Sequence, residues 1–188
     1  EIKNGFNPDA LLEQLYKATK LEDSFGINAV ALVDGQPRTL SLRDMLTVYL
    51  DHQLEVTLRR TRFRLGKAQD RLHLVEGLLL AIVDIDDVIA IIRSSDDVAT
   101  ARTRLIEVFD LTEIQANYIL DMQLRRLTRF SRIELESERD ELQVTIGDLQ
   151  AIIDDPARLR SVVSSELDEV ARTHGTPRRT VLLASGGG

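Results

Sequence analysis

Cysteine and tryptophan are both absent from this chain of 188 residues. Without cysteine, the chain can form no disulfide, bind no metal through thiolates and use no cysteine nucleophile. Aromatic residues make up only 4% of the chain, so leucine, isoleucine and valine must supply most of the packing. This composition favours paired helices over a β-sandwich.

Long apolar runs are also missing. The run at residues 78–83 is apolar throughout, but it is far shorter than the roughly 20 residues that a membrane-spanning helix needs. The first residues lack the charged and apolar regions of a secretory signal peptide. We therefore expect a soluble, cytoplasmic protein.

Positive charge is in deficit: 24 Lys and Arg residues stand against 31 Asp and Glu residues, giving a net charge of −7. Because phosphate neutralisation supplies most of the affinity of DNA-binding domains, an acidic chain predicts weak DNA binding. The charge is uneven, since residues 59–71 are basic and residues 133–173 are acidic. The basic run is either a nucleic-acid contact or the flank of a helix that pairs with the acidic segment. The overall acidity favours pairing.

A heptad repeat of leucine runs through the middle of the chain, with companion residues three positions after each leucine at Thr61, Ala68, Val75 and Ile82. Such a repeat is typical of a helix whose stripe faces a partner helix. A second leucine series with the same spacing follows later. We name the two series together the arm seam: Leu58, Leu65, Leu72, Leu79, Leu135, Leu142 and Leu149. Two seams separated by a compact segment predict a mainly α fold, a long antiparallel coiled-coil arm with a small helical globule at its tip.

The first forty residues predict a short helix and a minor β element. Asn7 followed by Pro8 is typical of a helix N-terminus, and the apolar pattern continues to about Glu22. Residues 27–33 predict a β-strand, and Asp34 with Gly35 predicts a tight turn into an extended segment at residues 37–40.

Residues 41–83 predict the outgoing helix of the arm, opened by a capping box of Ser41 and Asp44. No proline interrupts this segment, and roughly forty residues at 1.5 Å each give a rod of about 60 Å. Residues 84–130 predict three short helices, the last opened by a capping box of Thr112 and Gln115. These helices form the predicted globule, which we call the head.

Residues 131–175 predict the returning helix. It is broken at Asp154, Asp155 and Pro156, because proline lacks the backbone N–H and disfavours helix before it. A helix bends most easily at such a break, so we expect a hinge there; a static kink is the alternative.

The C-terminal segment begins after His174 and Gly175, which predict the end of the returning helix. Residues 176–188 predict a last strand at 180–184, followed by a Ser-Gly-Gly-Gly linker. We expect the parent protein to continue beyond this linker.

No catalytic, cofactor-binding or metal-binding residue is predicted. The three histidines, His52, His73 and His174, are widely separated, and the first two lie too many turns apart on one helix to share a metal. No glycine-rich phosphate loop follows a strand. The aspartates of residues 84–97 lie at helix starts, where the helix dipole favours negative charge, which is a simpler explanation than a cation site.

Several short strings are more specific than a generic coiled coil, because they occur in a fixed order along most of the chain. They are Ser24-Phe25-Gly26-Ile27-Asn28, Ala31-Leu32-Val33-Asp34-Gly35-Gln36-Pro37, His52-Gln53-Leu54-Glu55-Val56, Lys67-Ala68-Gln69-Asp70-Arg71, Ile85-Asp86-Asp87-Val88-Ile89 and Ile119-Leu120-Asp121-Met122. In this order and spacing, residues 1–180 resemble the A subunit of bacterial type IIA DNA topoisomerases, most closely that of DNA gyrase.

The resemblance implies a place for each segment in an enzyme that cuts one duplex, passes a second through it and releases that duplex at an exit gate, or C-gate. Residues 1–40 would be the end of the tower domain, and residues 41–83 and 131–175 the arm helices. Residues 84–130 would be the globule through which two A subunits dimerise. Residues 176–188 would be the terminal strand and linker. We expect the centre of the dimer interface at Ile119, Met122 and Leu124.

The resemblance also implies which partners the holoenzyme has and that the catalytic tyrosine is not among these residues. The family's catalytic tyrosine is next to an arginine and is followed by Thr-Glu, a context that Tyr16, Tyr49 and Tyr118 lack, so we expect the chain alone to be inactive. Mg²⁺ and ATP would bind to the holoenzyme through the B subunit. Double-stranded DNA would pass between the arms with weak contact, in a nucleoid-associated enzyme.

Two alternatives remain open. The same region of a topoisomerase IV A subunit is hard to separate from gyrase, because the motif of the gyrase wrapping domain does not occur in these residues. The other alternative is a non-enzymatic coiled-coil dimerisation scaffold. The three-helix head and the lack of cysteine for a zinc hook count against that scaffold.

Overall fold

A computed structural model describes residues 2–122 and 131–181 of the chain. These residues contain seven helices and one two-stranded sheet, which confirms the prediction of a mainly α fold with a minor β element. The chain divides into two compact units, Glu1–Leu50 and Asp51–Gly188. Among the described residues, no helix combines the length and the hydropathy needed to cross a bilayer.

Helix α1 spans Pro8–Ala18 and begins as predicted, with the Asn7 side chain accepting a hydrogen bond from the Asp9 N–H at 3.0 Å. The predicted end at Glu22 is wrong. Thr19 adopts an extended backbone, and its hydroxyl donates to the Leu15 carbonyl at 2.6 Å. This local bond closes the helix before the apolar pattern ends.

Strands β1 (Val30–Val33) and β2 (Gln36–Thr39) form an antiparallel hairpin. Asp34 and Gly35 both have positive φ, 52° and 77°, as a two-residue hairpin turn requires, so the predicted turn is confirmed. The predicted strand at residues 27–33 is too long by three residues, because β2 offers partners for four residues only.

Helix α2 spans Leu42–Val83, the predicted outgoing helix, and its 42 residues give a length of about 63 Å. At its start the Ser41 Oγ accepts from the Asp44 N–H at 3.2 Å, and the Asp44 carboxylate accepts from the Ser41 hydroxyl at 2.6 Å. The hydroxyl bond is the main reason that the pKa of Asp44 lies below its ordinary value. Because the pKa of Asp44 is lower in the folded than in the unfolded state, the ionised carboxylate stabilises the folded chain at neutral pH. This stabilisation is lost as the pH falls through the lowered pKa.

The head contains three helices, as predicted: α3 (Ile85–Ser94), α4 (Val98–Phe109) and α5 (Glu113–Asp121). Asp97 caps α4 by accepting from the Thr100 N–H at 2.6 Å. Thr112 and Gln115 form the predicted capping box of α5. The starts of α4 and α5 are thus set by side chains close to them in sequence, whereas the Asp84 side chain does not cap α3.

The returning segment contains helices α6 (Arg132–Asp154) and α7 (Pro156–His174). Asp155 serves both: its N–H donates to the Ala151 carbonyl at 3.3 Å, and its carboxylate accepts from the Ala157 N–H at 2.8 Å. After α7, Gly175 has an extended backbone with φ −64°. Thr180 and Val181 are not in a strand, and the rest of the predicted last strand lies outside the described residues.

One apolar core joins helices α2, α3, α4, α5 and α6 of the second unit. Its largest fully buried side chains come from α2, α3, α4, α5 and α6: Val75, Leu78, Val88, Leu105, Ile119 and Leu135. Burying each such side chain stabilises the fold by roughly 1.5–3 kcal/mol. The core of the head is therefore continuous with the ends of the arm helices.

Helix α5 approaches α2 most closely at Gly77, where the Gln115 side chain lies against the glycine. The Gln115 Nε2 donates to the His73 carbonyl at 2.7 Å, and its Oε1 accepts from the Thr112 N–H at 2.9 Å. A Cβ added at Gly77 would lie 2.7 Å from the Gln115 Cγ and 2.9 Å from its Cβ. Because the Gln115 Cβ is fixed to the backbone, α5 itself would have to move.

A second link is made by Arg71, which joins α2 to both α5 and α6. Its Nε and Nη2 donate to the two carboxylate oxygens of Glu138 at 2.6 and 3.0 Å, and its Nη1 donates to the Tyr118 hydroxyl at 3.3 Å. The hydrogen bonds that Arg71 donates to Glu138 raise the pKa of Arg71 above its ordinary value. The two parallel bonds give this ion pair a defined geometry.

Arg60 of α2 pairs with Glu166 of α7 at 2.5 Å. As residue numbers rise from Arg60 to Arg71, those of their partners fall from Glu166 in α7 to Glu138 in α6, so the partners occur in the reverse order to the arginines. The pairs are eleven residues apart on α2 but 28 apart on the returning segment. One regular register cannot hold both pairs, and the break at Pro156 lies between the two glutamates.

We predict that the same substitution has opposite effects at two glycines of α2. Gly77→Ala should lower the free energy of unfolding by about 1–3 kcal/mol, because displacing Gln115 outweighs the gain in helix propensity. Gly66→Ala should raise it by about 0.5–1 kcal/mol, since a Cβ there meets nothing within 4 Å. Urea denaturation followed by circular dichroism measures both. Stabilisation by Gly77→Ala would show that the close approach of α5 does not exist.

We also predict that the two cross-arm arginines differ in their contributions. Arg71→Ala should lower the free energy of unfolding by about 1–2 kcal/mol, because it removes a two-pronged, partly buried pair. Arg60→Ala should cost less than about 0.5–1 kcal/mol, since Glu166 is more exposed. Arg71→Lys is the matched control, because it keeps the charge but not the paired geometry. Its free energy of unfolding should lie between those of the wild-type chain and Arg71→Ala. Equal costs for Arg60→Ala and Arg71→Ala in urea denaturation would contradict this ranking.

Candidate functional site

The arm seam is centred on the companion residues rather than on its leucines. Along α2, Thr61, Ala68 and Val75 are buried, whereas all four leucines of the seam are half-buried. The Thr61 hydroxyl donates to the Thr57 carbonyl at 2.8 Å, which satisfies a polar group at a buried position. On α6, Leu135 is fully buried, and Leu142 and Leu149 are half-buried.

The three residues predicted at the centre of a dimer interface occupy different environments. Ile119 is only 2% exposed and lies in the core of the head, so it supports a surface from beneath and does not present its own side chain. Met122 follows α5 and is half-buried. Leu124 lies outside the described residues. An interface at this place would thus use Met122 directly among the residues described.

Other apolar side chains of the head are exposed, and the sequence pattern did not single them out. Val98 and Val108 on α4 and Ile114 on α5 are each more than 60% exposed. They lie near the ends of their helices and are not packed in the core. Their exposure depends on contacts between helices, which a periodicity argument does not see.

The predicted hinge coincides with the junction between α6 and α7. Across this junction, the Arg158 guanidinium lies 3.4 Å from the Asp148 carboxylate, and both side chains are half exposed or more. An exposed pair of this kind contributes little to rigidity. Helices α6 and α7 also contact one another, so bending at the break is opposed by this packing as well as by the two bonds that Asp155 makes to its neighbours.

The basic run divides into three groups. Arg60 and Arg71 pair with carboxylates of α7 and α6, as the pairing alternative predicts. Arg59 lies 3.5 Å from Glu55 of its own helix. Arg62, Arg64 and Lys67 are exposed and have no ion pair with any residue in the described ranges. Pairing with the acidic segment thus accounts for two of the basic residues and leaves an outward-facing group unexplained.

A cleft of about 680 Å³ lies between the end of α2, the start of α5 and α6. Its lining includes charged side chains of both signs, among them Glu76, Asp110, Arg132 and Arg139. His73 at its edge is 2.7 Å from the Thr112 hydroxyl. The mixed charge gives the cleft no preference for an anion or a cation. In residues 2–122 and 131–181, no group of three or more histidine, aspartate or glutamate side chains is arranged to hold a metal ion.

The chain is similar to proteins that handle DNA topology. The DNA gyrase A subunit of Mycobacterium tuberculosis is 46% identical over 187 residues, which are 100% of this chain and 22% of that protein. The gyrase A subunits of Lawsonia intracellularis and Streptomyces coelicolor are 47% and 48% identical, each over 97% of this chain and 22% and 21% of the relative. The chain thus spans about a fifth of the length of the curated relatives it matches.

The family model that matches is that of the A subunits of DNA gyrase and topoisomerase IV, and it covers residues 1–168. This coverage includes the hairpin, the long helix α2, the head and most of the returning segment. The prediction drawn from the ordered strings is confirmed, and the chain belongs to the family of DNA gyrase and topoisomerase IV A subunits.

Proposed function

We propose that this chain forms the exit gate, or C-gate, of a DNA gyrase A subunit. In this proposal two copies meet through their heads, hold the halves of the enzyme together while one duplex is cut, and part to release the transported duplex. The observation that carries the proposal is the single core that joins the head to the ends of the arm helices. Head and arm can then separate from a partner as one body, without unfolding.

The dimensions of the arm suit this role. Helix α2 is about 63 Å long, several times the roughly 20 Å width of a duplex, a width close to that of the major and minor grooves combined. The pairs made by Arg60 and Arg71 brace the helix against the returning segment. A braced arm of this length leaves room for a duplex beside it.

The proposal assigns each segment a place. Residues 1–40 form the end of the tower, residues 41–83 and 131–175 the arm, and residues 84–130 the dimerising head. Residues 176–188 form the C-terminal linker. Gyrase is favoured over topoisomerase IV because the three relatives described above are gyrase subunits.

The chemistry of strand cutting belongs elsewhere in the proposed enzyme. None of the three tyrosines has the context of the family's catalytic residue, so the chain alone is inactive. Mg²⁺ and ATP bind to the B subunit, which is the protein partner of the A subunit in the holoenzyme. Double-stranded DNA is a further partner, and the enzyme acts in the cytoplasm on the nucleoid.

The interface between two heads must hold and also open once per cycle. A modest, mainly apolar and isologous patch satisfies both demands better than a large obligate interface. We propose that Met122 and Leu124 form its centre, with Ile119 supporting them from the core. Bending at Asp154, Asp155 and Pro156 then allows the arms to part.

We predict that Met122→Glu weakens the dimer. An isologous interface contains each substitution twice, so losing two buried methionines should raise the dimer Kd roughly 100-fold. Met122→Leu keeps the apolar surface and is the matched control. Sedimentation equilibrium of the chain measures the Kd, and circular dichroism checks that the variants stay folded.

Two comparisons sharpen this test. Ile114→Glu places the same charge on the opposite end of α5 and should leave the dimer intact; monomers from this variant but not from Met122→Glu would place the interface elsewhere. Ile119→Glu is unsuitable as a test, because a charge in the core unfolds the head and abolishes dimers for another reason. A wild-type chain that sediments as a monomer at every concentration would contradict the exit-gate role.

A further inference from the structure

We propose that one outward face of α2 binds the phosphate backbone of duplex DNA. This basic face consists of Arg59, Arg62, Phe63 and Lys67. The inference deepens the proposed function, on which it rests for the choice of DNA, because it names the surface of the arm that contacts the duplex.

The four residues lie on the side of α2 that faces away from the arm seam. Their spacing of three, four and eight residues keeps them on neighbouring turns of one side of a helix. Arg59 and Phe63 are about two-thirds exposed, and Arg62 and Lys67 are also exposed. Thr57, Thr61 and Ala68 on the other side are buried. The basic face is therefore open to a large partner.

The charge of this face is positive within a chain whose net charge is −7. Residues 59–67 include five basic residues and no acidic residue. Arg59 is 3.5 Å from Glu55, but both side chains are about two-thirds exposed, so a phosphate can compete for this arginine. The Lys67 ammonium lies 5.8 Å from the centre of the Phe63 ring, an attraction that restrains its position.

The spacing of the cations suits a DNA strand. Eight residues separate Arg59 from Lys67, a distance of about 12 Å along the helix. One strand of a duplex advances about 3.4 Å along the duplex axis for each phosphate, so a duplex whose axis is parallel to α2 brings about three to four phosphates of one strand past the three cations. Contacts of this kind read no bases, so the binding should not depend on sequence.

The experiment uses the dimeric chain and a fluorescent duplex of roughly 40 base pairs, with anisotropy measured between about 50 and 200 mM salt. The test variant is Arg62→Glu with Lys67→Glu. The matched control is Arg93→Glu with Arg160→Glu, which makes the same change in net charge at exposed residues of α3 and α7. Circular dichroism and sedimentation accompany each sample.

The wild-type chain should bind weakly, with an affinity that falls as salt rises. The test variant should bind at least about 10-fold more weakly at low salt, and its slope of log affinity against log salt should be smaller by about two, one unit for each lost phosphate contact. The control should change binding no more than about threefold.

Three outcomes would overturn the inference: no binding by the wild-type chain at low salt, equal losses in the test and control variants, or a test variant that alters the dimer and not DNA binding. The last outcome would assign the face to a protein partner. Failure of the proposed gate is separable from all three, because a monomeric wild-type chain would still report whether the basic face binds the duplex.

Discussion

The junction between arm and head depends on one glycine that lets an amide reach a helix carbonyl. Gly77 has no Cβ, so Gln115 can lie against α2 and donate to the His73 carbonyl at 2.7 Å. A carbonyl oxygen has two lone pairs, so it accepts this bond beside its helical one. The same amide also accepts from Thr112 and so starts α5. A single side chain thus fixes both where α5 begins and where it docks, and any movement of the head against α2 must break buried hydrogen bonds.

A rigid junction limits where a gate built from this arm can move. The core shared by Leu78, Leu105 and Leu135 resists separation of the head from either arm helix. Arg71 adds a second restraint by joining α2 to α5 and α6 at once. In the proposed gate, motion would be left to the surface between two heads and to the junction at Asp155, where the helix ladder is already interrupted. A stiff head therefore suits the proposed opening, because head and arm then move as one body and a displacement of the arm displaces the proposed interface equally.

Features set by neighbouring residues could be predicted from the sequence, and features set by distant contacts could not. The start of α2 and the turn at Asp34 follow from capping and turn chemistry within a few residues. The end of α1 was missed because the Thr19 hydroxyl competes with the helix in a way that apolar periodicity does not register. The burial of Ile119 depends on the docking of α5 against a glycine 38 residues before Gln115. The division of the basic run likewise depends on glutamates 67 and 106 residues away from Arg71 and Arg60.

An acidic chain can still have a face that attracts phosphate, because salt screens the distant acidic residues more strongly than the basic residues that a phosphate touches. At physiological ionic strength the screening length is about 8 Å, so most of the net charge of −7 is not felt by a phosphate that touches α2. Arg62 and Lys67 at contact distance are screened much less. In the proposed gate, the acidic residues would offer a departing duplex no second place to bind. Such a gate needs a brief, weak hold on the transported duplex and a clean release, and an acidic arm with one small basic face would supply both.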